Sequence, residues 1–239
     1  MRILLGSGGL STKARQEAWR SELDDFLGPV KTVLFVPYAL ADHEGYTKMV
    51  ADRGFQAGRT LVGLHRAKDP RKAVHGADAV FVGGGNTFRL LDRLQRERLL
   101  PVLRARVREG MPFVGISAGT NVACPTIRTT NDMPIVWPKS VDALGLVPFQ
   151  VNPHYVDGAY FLKKGARYQP YGGETRDVRL TEFHEMNDVP ILALREGSIL
   201  RVEGTRAQVV GAAGARLFRR GRAPVDLDVG ADVSRLLRA

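Results

Sequence analysis

Two short stretches concentrate residue types suited to acyl-transfer chemistry. The first, Gly115-Ile116-Ser117-Ala118-Gly119, sets a serine between glycines where an apolar run ends. Glycines on both sides allow a sharp turn, which lifts the serine into an exposed position at a helix start, where backbone amides and the helix dipole favour negative charge. The pentapeptide alone is a weak signal, since glycine and serine are ordinary turn residues. Its flanks, an apolar strand before and a helical segment after, are those of a nucleophile elbow. The second stretch, Val82-Gly83-Gly84-Gly85-Asn86-Thr87, has neither the dinucleotide fingerprint nor the lysine of a phosphate loop. Its glycines instead suit a close approach of backbone N–H groups to a reacting carbonyl oxygen. The amides of Gly85 and Ala118 are the expected donors to that oxyanion; the plainer alternative is a tight turn that lets a helix pack closely.

A serine hydroxyl is a feeble nucleophile until a base takes its proton and an acid orients the base. Of the five histidines, His43, His75 and His184 sit in polar or charged surroundings and are expected to be solvated. His65 ends the apolar run LVGLH and is a possible base. His154 is the best placed by sequence, because it closes the run FQVNPHY and the Asn152-Pro153 pair before it makes a stiff extended turn. Two carboxylates compete to orient it. Glu196 follows VPILALR and precedes Gly197, whereas Asp132 lies in the polar tail CPTIRTTND behind the serine. Neither is preferred on these grounds.

These side chains need a scaffold that brings them to one edge. Short apolar runs, RILLGSGG, KTVLFVPYA, TLVGLH, AVFVGGGN and MPFVGIS, alternate with segments of helical period at 13–27, 43–56, 69–76, 87–109 and 118–123. Strands that are apolar throughout need cover on both faces, so the reading is α/β: a mostly parallel central sheet with helices on both sides. A polar helix at 174–187 and the runs VPILALREG, SILRVEG and AQVVGAAGARLF then predict a C-terminal antiparallel extension of that sheet. No linker or repeat divides the chain, and a single domain over 1–239 is expected.

With 44% apolar and 25% charged residues the chain can bury a sizeable core. The net charge of +10 raises the question of a polyanion. The basic residues are spread among acids on helix faces, however, and only Arg216, Arg219, Arg220 and Arg222 cluster, in an expected hairpin. Neither nucleic acid nor membrane is therefore expected as a partner. The one cysteine, Cys124, excludes an internal disulfide and a cysteine-built metal site, and reads as a buried filler. No metal or cofactor is implied, and the opening MRILLGSGGL is too short for a secretory signal core. The expected location is cytoplasmic.

Five motifs in order, VGGGNTF, SAGTNVACPTIRTTNDMPIV, NPHY, GETR and the EG of LREGSIL, make the chain resemble the peptidase E family of S51 serine peptidases. The resemblance runs from the first strand to about residue 205. Ile116 and Thr120 depart from it, standing where an aromatic and a small residue are expected. The resemblance implies Ser117 as nucleophile, His154 as base and then acid, and Glu196 as third member, with Asp132 at a position that has also been given that role. Gly85 and Ala118 would supply the oxyanion hole. The implied fold is like that of class I glutamine amidotransferases, with serine for their cysteine. The implied reaction is hydrolysis of dipeptides with N-terminal aspartate, Asp-X, through an acyl-enzyme, by a monomer or homodimer. A sheltered β-carboxylate needs a bidentate cationic partner, and Arg128 and Arg176 are the candidates. A cyanophycinase-like exopeptidase acting on β-aspartyl-arginine units is the alternative.

Overall fold

The computed structural model describes residues 1–8, 11–158, 161–170 and 173–238. Gly9, the last residue of the RILLGSGG run, lies outside them. The strands are β1 Arg2–Gly6, β2 Thr32–Val36, β3 Thr60–Gly63, β4 Val80–Val82, β5 Phe113–Ile116, β6 Gln150–Tyr155, β7 Phe161–Lys164, β8 Arg167–Pro170, β9 Ile191–Arg195, β10 Ser198–Glu203, β11 Arg206–Gly211, β12 Ala215–Phe218 and β13 Val225–Leu227. The helices are α1 Lys13–Leu27, α2 His43–Asp52, α3 Pro70–His75, α4 Thr87–Arg96, α5 Leu99–Arg108, α6 Ala118–Ala123 and α7 Arg176–Met186.

The main sheet runs β11-β10-β1-β5-β4-β2-β3. Its five strands from β1 to β3 are mutually parallel, and β10 and β11 join antiparallel beside β1. Strand side chains alternate between faces, and the two buried clusters follow that alternation. Ile3, Leu5, Val36, Val80, Val82 and Phe113 face one side, under α3, α4, α5 and α6. Leu4, Val33, Phe35, Phe81 and Val114 face the other, under Trp19, Leu23 and Phe26 of α1 and Val50 of α2. α4 shows why the pattern holds locally. Asn86 Oδ1 accepts from the Arg89 amide to start the helix, and Leu90, Leu91 and Leu94 are fully buried. Each such leucine contributes about 2 kcal/mol by leaving water.

The continuous helix expected over 87–109 is broken. Glu97 ends α4, and Arg98, at φ 54°, interrupts the helix before α5. Pro101 is the physical reason: inside one long helix its ring would clash with the carbonyl of residue 97, whereas in the first turn of α5 it costs no hydrogen bond.

The C-terminal strands also divide differently from the single extension expected. β10 and β11 extend the main sheet, but β9 and β12 enter a second sheet, β13-β12-β9-β6, in which β6 is parallel to β9. The turn at Glu196-Gly197, with Gly197 at φ 85°, carries the chain from one sheet to the other. Leu192, Leu194 and Val151 of the second sheet face the main core. Ile191, Ala193, Tyr155 and Phe218 face outward beneath Leu180 of α7. His184 shares that inner helix face with Leu180, four residues earlier, so it is buried rather than solvated, with Nδ1 3.2 Å from the Asn187 carbonyl oxygen. Among the described residues no helix is long and apolar enough to cross a membrane.

Candidate active site

β1, β4 and β5 end side by side, so the turns that follow them share one edge of the sheet, the edge where open α/β sheets collect ligands. Ser117 stands directly after β5 with φ 55° and ψ −108°, a conformation few L-residues adopt. Two backbone contacts impose it. The Ser117 amide donates to the Gly6 carbonyl at 3.1 Å, and Gly119 packs against the Val82 carbonyl so closely that a Cβ there would collide with backbone. Thr120, one of the two departures from the family pattern, donates its hydroxyl to the Gly6 carbonyl at 2.7 Å and ties the elbow to β1. Since the Ser117 amide is already used, the next free-standing amide at the helix start is that of Ala118. The Gly84-Gly85 turn lies beside it, pinned by Gly83 N to Val36 O at 3.1 Å and Asn86 N to Ala39 O at 2.9 Å.

His154 reaches the serine from the second sheet. Its Nε2 is 2.7 Å from Ser117 Oγ, and its Nδ1 is 2.8 Å from Glu196 Oε1. An ionised carboxylate only accepts, so Nδ1 carries the proton and donates to Glu196, leaving Nε2 to accept from the serine hydroxyl. The hydrogen bond from His154 holds the Glu196 carboxyl below the usual carboxylate range; burial opposes this, and the nearby Arg15 charge reinforces it. His154 itself has φ 59°, at an irregularity in the β6–β9 pairing between Asn152 and Tyr155.

The backbone at His154 is held by a residue that sequence reasoning missed. Ser7, fully buried just past β1, accepts from the His154 amide at 2.8 Å and donates to the Leu194 carbonyl at 3.1 Å. It therefore links β1, β6 and β9. Gly8 follows, with φ 124°, and a Cβ there would sit 2.7 Å from His154 Cε1. The signal was the Gly-Ser-Gly at residues 6–8, at the end of an apolar strand.

Asp132 is elsewhere. Its Oδ2 accepts from the Thr87 amide at 2.8 Å and the Thr87 hydroxyl at 2.6 Å, and lies 3.1 Å from Thr130 Oγ1, at the start of α4. None of these contacts involves His154. His65 is likewise occupied, with Nε2 2.9 Å from Glu44 Oε2. The tail carrying Asp132 does return to the site's border: Asn152 donates to the Thr129 carbonyl, Asn131 to the Pro153 carbonyl, and Asn86 to the Met133 carbonyl.

Ser117 and His154 open on a cavity of about 350 Å³ that Gly84, Gly85 and Ile116 also line. Neither Arg128 nor Arg176 lines it. Arg128 reaches Asn187 Oδ1 at 3.3 Å, and Arg176 borders a smaller cavity of about 130 Å³ with Glu174 and Arg179. The residue 216–222 cluster is partly neutralised: Arg216 lies 3.5 Å from Asp177 and 3.7 Å from Asp157 and Asp226, and Arg220 is 3.9 Å from Asp188. Cys124 is buried within the fold, where desolvation pushes its thiol up to about 12. Its sulfur accepts from the Val151 amide at 3.1 Å, which joins the end of α6 to β6.

Residues 2–210 match the sequence model of Peptidase family S51. A Streptomyces coelicolor protein named peptidase E is 55% identical over 212 residues, covering 89% of this chain and 84% of that protein. A Drosophila melanogaster protein named "Probable alpha-aspartyl dipeptidase" is 46% identical over 239 residues, covering 99% and 97%. Among solved structures, a peptidase from an acI-B1 Actinobacterium superposes with a TM-score of 0.67 at 18% identity, over 97% of this chain and 96% of that one, a likeness of fold.

Proposed function

The chain belongs to peptidase family S51, and from that premise we propose that it hydrolyses dipeptides with an N-terminal aspartate by a serine mechanism. The observation that carries the reading is the hydrogen-bonded series Ser117 Oγ, His154 Nε2, His154 Nδ1 and Glu196 Oε1, at 2.7 and 2.8 Å. The relatives named peptidase E and alpha-aspartyl dipeptidase supply the substrate class.

In this reading Ser117 Oγ attacks the carbonyl carbon of the aspartyl residue while His154 Nε2 takes its proton. The tetrahedral oxyanion is received by the amides of Gly85 and Ala118. His154 then protonates the leaving amino group of residue X as the C–N bond breaks, which leaves an aspartyl ester on Ser117. Water, deprotonated by the same nitrogen, cleaves that ester and releases aspartate. Glu196 keeps the imidazole in the required tautomer and offsets the charge it gains. Asp132, hydrogen-bonded to Thr87 and close to Thr130, is assigned to holding the loop and the α4 start. For the aspartyl β-carboxylate the candidates remain Arg128 and Arg176. Each sits on a segment that touches β6 beside His154, through Thr129 and Asp177 respectively, so either must close over the bound substrate to act.

The test is release of aspartate from Asp-Leu. Ser117→Ala should lower kcat by about 10⁴-fold or more while the thermal unfolding profile is retained; an active variant would remove the serine mechanism. Equal turnover of β-linked aspartyl-arginine would transfer the reading to a cyanophycinase-like exopeptidase.

A further inference from the structure

One wall of the Ser117 cavity is a single face of α2 and the residue that ends it. Tyr46, Met49, Val50 and Arg53 recur at helical spacing and all line it, together with Phe55, Phe81 and Ile116. Tyr46 marks the catalytic end: its hydroxyl is hydrogen-bonded to the Gly84 backbone, and burial pushes it up to about 12. Arg53 marks the far end, about 10 Å further along the helix axis. Among the described residues that line the cavity it is the only arginine or lysine.

We propose that Arg53 is a specificity-determining residue that binds the free α-carboxylate of the leaving residue X. The inference rests on the dipeptidase reading and deepens it. Three features support it.

Arg53 is not neutralised by the protein. The carboxylate next to it, Asp52, is paired with Lys48 at 2.5 Å, one turn back on α2. Other arginines in the neighbourhood are committed, Arg59 to Asp24 and Arg66 to Glu44. The Arg53 side chain makes no hydrogen bond or ion pair among the described residues.

The turn that presents Arg53 is clamped from outside. Arg20 of α1 donates to the Arg53 carbonyl at 2.6 Å and to the Gly54 carbonyl at 3.3 Å, and Trp19 donates to the Phe55 carbonyl at 2.9 Å. Two side chains of one helix thus hold three successive carbonyls, so the position of Arg53 is set before substrate arrives.

The way from Ser117 to Arg53 is apolar. Met49, Val50, Phe55 and Phe81 offer a carboxylate no partner before the guanidinium at the far end. An apolar X side chain gains from the same walls, and its own α-carboxylate then arrives at the exposed guanidinium. One extended residue spans about 3.5 Å, and the extended arginine side chain closes the remaining gap. A longer peptide would present an uncharged peptide bond at that point, so the contact favours dipeptides.

The experiment compares Asp-Leu with aspartyl-leucinamide, which lacks only the terminal charge. Binding of each to the non-cleaving Ser117→Ala protein and to Ser117→Ala/Arg53→Ala is measured by calorimetry. The expected result is about a tenfold loss of affinity for Asp-Leu on removing Arg53, at the lower end for a charge-assisted contact because the guanidinium is exposed. Aspartyl-leucinamide should bind both proteins equally, and Arg53→Lys should recover part of the loss. An equal loss for both ligands, or none for Asp-Leu, overturns the proposal. Because the readout is binding, it is separate from the parent reading, which stands or falls on turnover of Asp-Leu by the wild-type chain.

Discussion

Ser117 and the His154–Glu196 pair meet at 2.7 Å but belong to sheets held together in different ways. Ser117 ends a central strand, with β1 and β4 paired on either side of β5, and its strained backbone is imposed by backbone atoms of both, Gly6 and Val82. His154 lies on β6, an edge strand of the second sheet, at an irregularity where regular pairing has stopped. It is held from outside its own strand. Ser7 supports its amide across a sequence separation of 147 residues. Tyr155 donates to Asp177 at 2.5 Å, and Arg195, next to Glu196, grips both oxygens of Asp157 at 2.6 Å. The serine is thus held by the backbone of the strands that flank its own, and the imidazole by side chains that reach it from outside its strand. Damage to the second kind of support should slow the reaction without unfolding the chain.

The largest effect that sharpens this contrast is expected from Glu196→Gln. It leaves the shape but removes the acceptor charge that fixes the imidazole tautomer, so kcat should fall about 10³- to 10⁴-fold with little change in KM. The same variant has a signature in stability. The folded state lowers the Glu196 pKa, so its carboxylate stabilises the fold above the ordinary carboxylate range, and that contribution is lost as pH falls through the lowered value. Melting curves from neutral to acid pH should therefore decline less steeply for Glu196→Gln than for the wild type. A parallel decline would show that the pairing contributes nothing to the fold.

Ser7→Ala should have an intermediate effect. It strands the partly buried His154 amide, at a cost of about 1 kcal/mol, and lets the ring drift, for which a 10- to 100-fold drop in kcat with nearly constant KM is expected. A change confined to KM would instead place Ser7 among groups that hold substrate.

Asp132→Asn should be the mildest. The amide oxygen still accepts from Thr87, while the charge at the α4 start is lost, a change of about 1 kcal/mol in stability. Any kinetic effect should fall on KM through the loop. If kcat collapsed as for Glu196→Gln, the role of third member would pass to Asp132.

The parts of the molecule that sequence revealed are those where a local rule has one solution. Apolar runs buried on both faces announced the parallel sheet, and the glycines around Ser117 announced a turn that only their missing side chains permit. His154 stood out because it closes an apolar run behind the stiff Pro153, whereas Glu196, beside Gly197, was level with Asp132. The break at Arg98 was readable too, in Pro101, but an uninterrupted leucine pattern masked it. His184 looked solvated because the residues around it are charged, and only the register of α7 against the second sheet turned it inward.

By itself the sequence determined the layered α/β architecture, the elbow and the set of side chains able to form a catalytic series, since these depend on periodicity and backbone sterics within a few residues. The tertiary structure decided which carboxylate meets His154, that Ser7 holds its backbone, and that Arg53 rather than Arg128 or Arg176 lines the cavity. Those outcomes depend on hydrogen bonds and close contacts between strands and helices from distant parts of the chain. Direction and distance at that scale exist only once the two sheets have packed.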